Sequence, residues 1–303
     1  MMLRGLGSVV CVLAATSAAT VATPGAGPTA PAEAPLPFFY DLFTFRGDGG
    51  RTEVVAAIAV QAGDLRRERD RDRMRYRFDV RFVLADTASR SVFRSIDSVF
   101  VSLPYSLPGD HLLHTYVQVQ APPSVTTLQR VIVTDASRPG VGQLYQSSLP
   151  VPDYGGTDLM LSDVAFGLPD AEDGWARRGY TLALLPTSQF PESAFDVYYE
   201  VYNLPPRTPY ETEISIEPLD GSDDEAPIVS AFFRGTSTAG ADGTLGELRR
   251  IESALPTGRY RLTVSVRDEA YGRVASRSRL IEVRGWGEGM TLVRALPRVG
   301  GPR

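Results

Sequence analysis

The chain has 303 residues, enough for two domains at the usual size of roughly 100–200 residues each. Its composition, 43% hydrophobic and 22% charged, lets each half bury a core of its own. A net charge of −5 without a concentrated basic run excludes nucleic acid as an expected partner. All 31 basic residues are Arg and none is Lys, so every cation carries a planar fork for bidentate pairing, although this marks no site by itself.

At the N-terminus Arg4 precedes the apolar run GLGSVVCVLAATSAA. Thr16-Ser17-Ala18, near the end of that run, and Thr20-Val21-Ala22 both offer small residues suited to cleavage. This pattern predicts a signal peptide over residues 1–22, cleaved near residue 19 or 23, and an exported protein, periplasmic or extracellular. The run is shorter than the about 20 residues of a spanning helix, so no transmembrane segment is expected after cleavage. Cys11 lies inside it, preceded by Val10, where lipid attachment needs a small residue. The mature chain then has no Cys, which excludes disulfides, a thiolate nucleophile and a Cys-based zinc site.

Residues 23–37, TPGAGPTAPAEAPLP, read as a Pro/Ala-rich leader, with structure expected from residue 38. FFYDLFTF (38–45) and TEVVAAIAV (52–60) supply the first apolar runs. DLRRERDRDR (64–73) alternates in sign and reads as a solvated hairpin tip or short helical turn. Over 74–84 the period is two: Met74, Tyr76, Phe78, Val80, Phe82 and Leu84 on one face, Arg75, Arg77, Asp79 and Arg81 on the other. That is a strand buried on one side. Further strands are expected at 91–103, 112–120, 127–135 and 143–149, punctuated by Pro and Gly. LPVPDYGG (149–156) reads as a boundary. Beyond it, strands are expected at 158–166, 179–186, 194–203, 210–218, 227–234, 244–253, 259–268 and 273–284, then a flexible tail over 286–303.

Many short strands with frequent turn signals predict an all-β fold of two consecutive antiparallel β-sandwich (Ig-like) domains, 38–150 and 157–285. A weak internal repeat agrees. VIVTD (131–135) and VSVRD (264–268) each end on an Asp, pass a Gly-bearing turn and return in a strand. Tyr260 stands where a tyrosine corner opens a late strand in Ig-like folds. The stretches YDLFTFRG (40–47), LMLSDVAFG (159–167), VYYEVYNL (197–204) and PTGRYRLTVSVRDEAYGR (256–273) resemble the β-rich region that accompanies the GWxTD domain in secreted bacterial proteins of unknown function. The Gly-Trp-x-Thr-Asp motif itself is absent: Gly174-Trp175 continues Ala-Arg-Arg, and Gly285-Trp286 continues Gly-Glu-Gly. The resemblance implies export and a β-rich fold, and no reaction.

Motifs for chemistry are sparse. The two His, His111 and His114, stand three apart where a turn enters a strand, so they point to opposite faces and read as strand-edge residues, not metal ligands. Neither a G-x-S-x-G elbow nor EF-hand spacing is present. The acidic stretches GSDDE (221–225) and DAEDG (170–174) read as solvated turns, so neither a metal nor a cofactor is expected. Glu200, among aromatics, reads either as a carboxylate with a shifted pKa in a cleft or as a residue on the polar face of its strand. The expected function is a non-enzymatic cell-envelope or extracellular module that binds protein or glycan or acts as a spacer. The alternative is a hydrolase with a carboxylate pair between the sandwiches. For contact with a partner the loop GWARRGY (174–180) stands out. Trp175, Arg177 and Arg178 are of the types enriched in binding hot spots, and the competing reading is that Trp175 caps its own core.

Overall fold

In a computed structural model, residues 35–170, 173–186, 194–219, 227–252 and 255–283 are described. The signal peptide, most of the leader, the GSDDE stretch, part of DAEDG and the tail with Trp286 lie outside them. The first half lays down β1 (Phe39–Arg46), β2 (Thr52–Gln61), a 3-10 turn (Ala62–Asp64), β3 (Glu68–Asp70), β4 (Arg73–Asp86), β5 (Val92–Leu103), β6 (Leu112–Ala121), β7 (Thr127–Asp135) and β8 (Gly142–Ser148). The second adds β9 (Met160–Leu161), β10 (Ala165–Leu168), β11 (Trp175–Arg177), β12 (Tyr180–Leu184), β13 (Phe195–Tyr202), β14 (Pro209–Pro218), β15 (Val229–Thr236), β16 (Thr244–Ile251), β17 (Gly258–Asp268) and β18 (Val274–Val283). The fold is all-β, and among the described residues every strand pairing is antiparallel.

The repeat glimpsed in VIVTD and VSVRD runs through the topology. β1-β2-β6 in the first half corresponds to β10-β13-β16 in the second. Likewise β5-β4-β7-β8 corresponds to β15-β14-β17-β18, a three-on-four layout of the Ig-like kind. The two repeat aspartates play one role. Asp135 accepts the Ser137 N–H and the Arg138 side chain, at 2.8 and 2.7 Å. Asp268 accepts the Ala270 N–H and Arg273 at 3.0 and 2.7 Å. Each carboxylate folds its hairpin turn and is sealed beneath it. The tyrosine corner is present too: the Tyr260 hydroxyl donates to the Pro256 carbonyl at 2.8 Å.

The two halves stack face to face. β4 alternates as the sequence says, with Tyr76, Phe78, Val80, Phe82 and Leu84 all buried. β2 does not alternate: Thr52 to Val60 are all buried. Val54, Ala56 and Ile58 pack into the first core with Phe78 and Phe82. Val55 and Ala57, with Phe43 and Phe45 of β1, pack instead into the core built on β13, β14 and β17. The apolar run TEVVAAIAV is therefore a strand covered on both faces. β13 matches it, with Phe195 to Tyr202 all buried. The described residues lie in one compact unit.

Three stretches carry more structure than the sequence marks. The leader does not stop short of the core, because Leu36 is buried in the first cluster. The charged stretch 64–73 is a hairpin tip, as expected, in which a short strand, β3, pairs with the start of β4 around an exposed Arg71-Asp72 turn. The segment 149–156 is bonded to β2 and β1: Pro152 O accepts the Thr52 hydroxyl at 2.6 Å, and the Tyr154 hydroxyl donates to Thr44 O at 3.1 Å. Among the described residues no helix is long and apolar enough to cross a membrane.

Candidate functional site

GWARRGY is not a loop. Trp175-Ala176-Arg177 and Tyr180-Thr181-Leu182 are opposed strands joined by a two-residue turn. Arg178 and Gly179 both have positive φ, 51° and 84°, as the turn favoured by strand twist requires. Gly174 precedes the hairpin where a Cβ would lie 2.1 Å from Leu182 O, so only glycine fits. The hairpin extends the β10-β13-β16 sheet and turns its side chains toward the first half.

Trp175 is 1% exposed. Its ring lies 4.9 Å from Phe45 and 5.5 Å from Tyr198, edge-on to the latter. Its Nε1–H donates to Gln118 of β6 at 3.2 Å. It is therefore neither an exposed hot spot nor a cap on its own half, but a side chain shared by both halves.

Arg177 is likewise not a surface cation. It donates to Glu200 through Nε at 2.7 Å and Nη2 at 2.8 Å, a bidentate fork. Nη1 reaches Glu53 of β2 at 3.1 Å, and Nη2 reaches Arg46 O of β1 at 2.8 Å. Its guanidinium also lies over the Phe45 ring at 4.8 Å. Burial disfavours the Arg177 cation, but the charges of Glu200 and Glu53 outweigh that and hold its pKa above the usual value. Arg178, half-exposed, pairs with Asp242 at 2.6 Å and approaches Glu200 at 3.6 Å.

Glu200 is 0% exposed. Besides the Arg177 fork it accepts the Tyr198 hydroxyl at 2.8 Å and the Tyr202 hydroxyl at 2.7 Å. All four lone-pair directions of the carboxylate are thus occupied by named donors. Burial and then the Glu200 charge raise the pKa of both tyrosines, so they stay protonated donors. Tyr202 in turn accepts the Arg46 N–H at 2.8 Å, which carries the network into the first half. Glu53, 9% exposed, is the second carboxylate between the halves. Burial raises its pKa, and Arg177 opposes that.

The arrangement brings two carboxylates together, as the hydrolase reading required, but the Arg177 guanidinium fills the space between them. The alternation rule had offered Glu200 a polar strand face, and β13 has none. A parallel clamp lies nearby. Asp163 accepts the Thr44 N–H at 2.9 Å, the Thr44 hydroxyl at 2.7 Å and Arg277 Nε at 2.7 Å. The histidines lie apart from these networks. His114 is in β6, an edge strand as expected, but its Nδ1 is sealed, and His111 is buried beside it. His111 is thus not a surface residue, and His114 is half-buried. Among the described residues no group of three or more His, Cys, Asp or Glu is placed to hold a metal.

No family model and no curated protein matches the chain. Solved structures that resemble it do so distantly. Red sea bream transglutaminase is 11% identical with a TM-score of 0.23, over 82% of this chain and 31% of that one. A calcium-binding mutant of Bacteroides uniformis β-glucuronidase 2 is 9% identical with a TM-score of 0.29, over 80% and 28%. The same enzyme bound covalently to a cyclophellitol-derived aziridine is 10% identical with a TM-score of 0.27, over 77% and 26%. The chain thus spans about a third or less of each structure it matches, and its function is argued from its own residues.

Proposed function

We propose that this chain is an exported, non-enzymatic module of the cell envelope or extracellular space, in which two β-sandwich halves are locked face to face to present fixed outer surfaces for binding or spacing. One observation carries the non-enzymatic reading. Glu200 is buried and already accepts from Arg177 twice, Tyr198 and Tyr202, which leaves it no free position for a substrate proton or a nucleophilic water. A general acid or base must reach its substrate, and this carboxylate reaches only protein. The charged-then-apolar leader supports export.

The test has two arms. Fractionation of the tagged protein in its host, with sequencing of the mature N-terminus, should place it outside the cytoplasm and starting near residue 19 or 23. An intact Met1 on a cytoplasmic product would refute export. The purified protein should turn over no chromogenic ester, glycoside or peptide. Turnover that disappears in Glu53→Gln or Glu200→Gln would refute the non-enzymatic reading.

A further inference from the structure

Stacking leaves two four-stranded faces pointing outward, one in each half. Because they are equivalent positions of one repeated fold, each is a control for the other.

On the outer face of β15-β14-β17-β18 the charges alternate across the strands. Arg234, Glu211 and Arg267 stand opposite one another in register, as do Glu217 and Arg261. Arg234 and Glu211 form an ion pair at 2.6 Å. Between these rows run hydroxyl pairs, Thr263 with Ser278 at 2.9 Å and Ser265 with Ser276 at 3.0 Å. The charges of this face are neutralised within it, while Phe232, Val274 and Leu280 are the large apolar side chains exposed on it.

The equivalent face of β5-β4-β7-β8 is built differently. One row across the strands reads Ile96, Arg81, Ile132, Leu144. The next reads Arg94, Val83, Arg130, Gln146. Ile96 is 58% exposed and Leu144 50%. At the end of the sheet Arg75 and Arg77 are paired with Asp70 and Glu68. Asp79, two residues before Arg81, accepts the Ser98 hydroxyl at 2.7 Å. Among the described residues Arg81, Arg94 and Arg130 have no carboxylate partner, and Arg130 donates to Gln146 at 2.7 Å. Like charges at neighbouring cross-strand positions repel one another. Three arginines without a carboxylate partner, one on each of the neighbouring strands β5, β4 and β7, where the sister face carries balanced pairs, call for an anionic partner.

The pattern narrows the partner's chemistry. A protein interface gathers its apolar residues at the centre and its charges at the rim. Here Arg81 stands at the centre and the aliphatic side chains lie between the arginines. A bilayer would need the apolar tips to reach deeper than the charges, and Arg reaches beyond Ile, Val and Leu. A bilayer is also flat, whereas sheets twist by roughly 20–25° per strand. An extended chain can follow such a surface across the strands. Guanidinium forks match carboxylates in pairs, and aliphatic side chains between them offer dry contact to the C–H faces of sugar rings.

Resting on the module reading above, we infer that the outer face of β5-β4-β7-β8, through Arg81, Arg94 and Arg130, binds an acidic polysaccharide, a chain of carboxylate-bearing sugars. The test is affinity electrophoresis of the full chain in gels containing polygalacturonate or alginate. Dextran, dextran sulfate and polyglutamate serve as comparison polymers, and sedimentation with phosphatidylcholine–phosphatidylglycerol vesicles runs alongside. Retardation by a polyuronate, absent in dextran, weakened by salt and reduced at least tenfold in Arg81→Ser/Arg94→Ser/Arg130→Ser, is the expected result. Where the triple variant does not melt like wild type, Arg94→Glu on the edge strand takes its place.

No retardation by either polyuronate overturns the ligand class and leaves the module reading standing on its own test. Equal retardation by dextran sulfate or polyglutamate, or binding to the vesicles alone, overturns it as well. So does retardation that the variants do not change. Release of reducing ends from a bound polyuronate would keep the ligand but overturn the non-enzymatic reading.

Discussion

Replacing Arg177 by Met separates a structural lock from a decorative ion pair. The change removes four donated hydrogen bonds, two to Glu200, one to Glu53 and one to Arg46 O. Methionine keeps most of the stem between Phe45 and Trp175, so little cavity is added. Glu200 is left as a sealed carboxylate with only two tyrosine hydroxyls, and Glu53 loses its cation. Removing one member of a buried ion pair costs about 3–5 kcal/mol. Arg178, 3.6 Å from Glu200, can close part of the gap, which places the expectation at the lower end of that range. The neighbouring Arg178→Met is the internal comparison. Its pair with Asp242 is 37% and 44% exposed, and exposed pairs contribute at most about 1 kcal/mol. Urea unfolding gives both values as midpoint times slope. A cycle with Glu200→Gln adds the coupling, expected at about 1–3 kcal/mol for residues in direct contact. If Arg177→Met costs no more than Arg178→Met, or if the cycle is additive, the lock is not there.

Three further outcomes follow from the same geometry. Burial raises the Glu53 pKa above its ordinary 4.5, so its contribution to stability is present below that value and is lost as pH rises through the folded one. Melting of Glu53→Gln should therefore gain on wild type between pH 4.5 and 7, and a flat difference would contradict the burial argument. His114 is pushed down from 6.5 to about 4, mainly by burial and then by His111, so it is neutral in the fold. Its contribution is present above about pH 6.5 and is lost as pH falls toward 4, up to roughly 3 kcal/mol. His114→Leu should lack that loss, and equal acid slopes for variant and wild type would refute it. Tyr260→Phe removes the corner hydrogen bond and should cost about 0.5–1.5 kcal/mol in the same unfolding assay, with no measurable effect counting against a structural role.

The strands were legible because alternation and turn residues mark them locally, and β4 is the clearest case. The interface between the halves was legible only in part. TEVVAAIAV carried a signal for it, since a strand apolar at successive positions is one covered on both sides. Glu200 stood out among its aromatics, but whether it was buried or on a polar face could not be read, because that depends on what covers β13 from the other half. The β11–β12 hairpin hid because its turn is Arg178-Gly179, where the usual sign is Asn-Gly or Asp-Gly. The regular spacing of Trp175 with Arg177, and of Tyr180, Leu182 and Leu184, was the available clue. The ion pairs of Arg177 were beyond reach, since Glu53 lies 124 residues away in the chain.

Face-to-face stacking also sets an order of events in time. Phe43, Phe45 and Val55 are made early, yet the strands that cover them begin at Met160. Arg279 of β18 reaches back to Asp41 of β1 across 238 residues. Contacts so distant in sequence close slowly, because the intervening chain must be ordered first. A nascent chain therefore carries an uncovered apolar sheet face for most of its synthesis, and such faces are where partly made proteins stick to one another. A chain cut after β8 would keep that face open permanently.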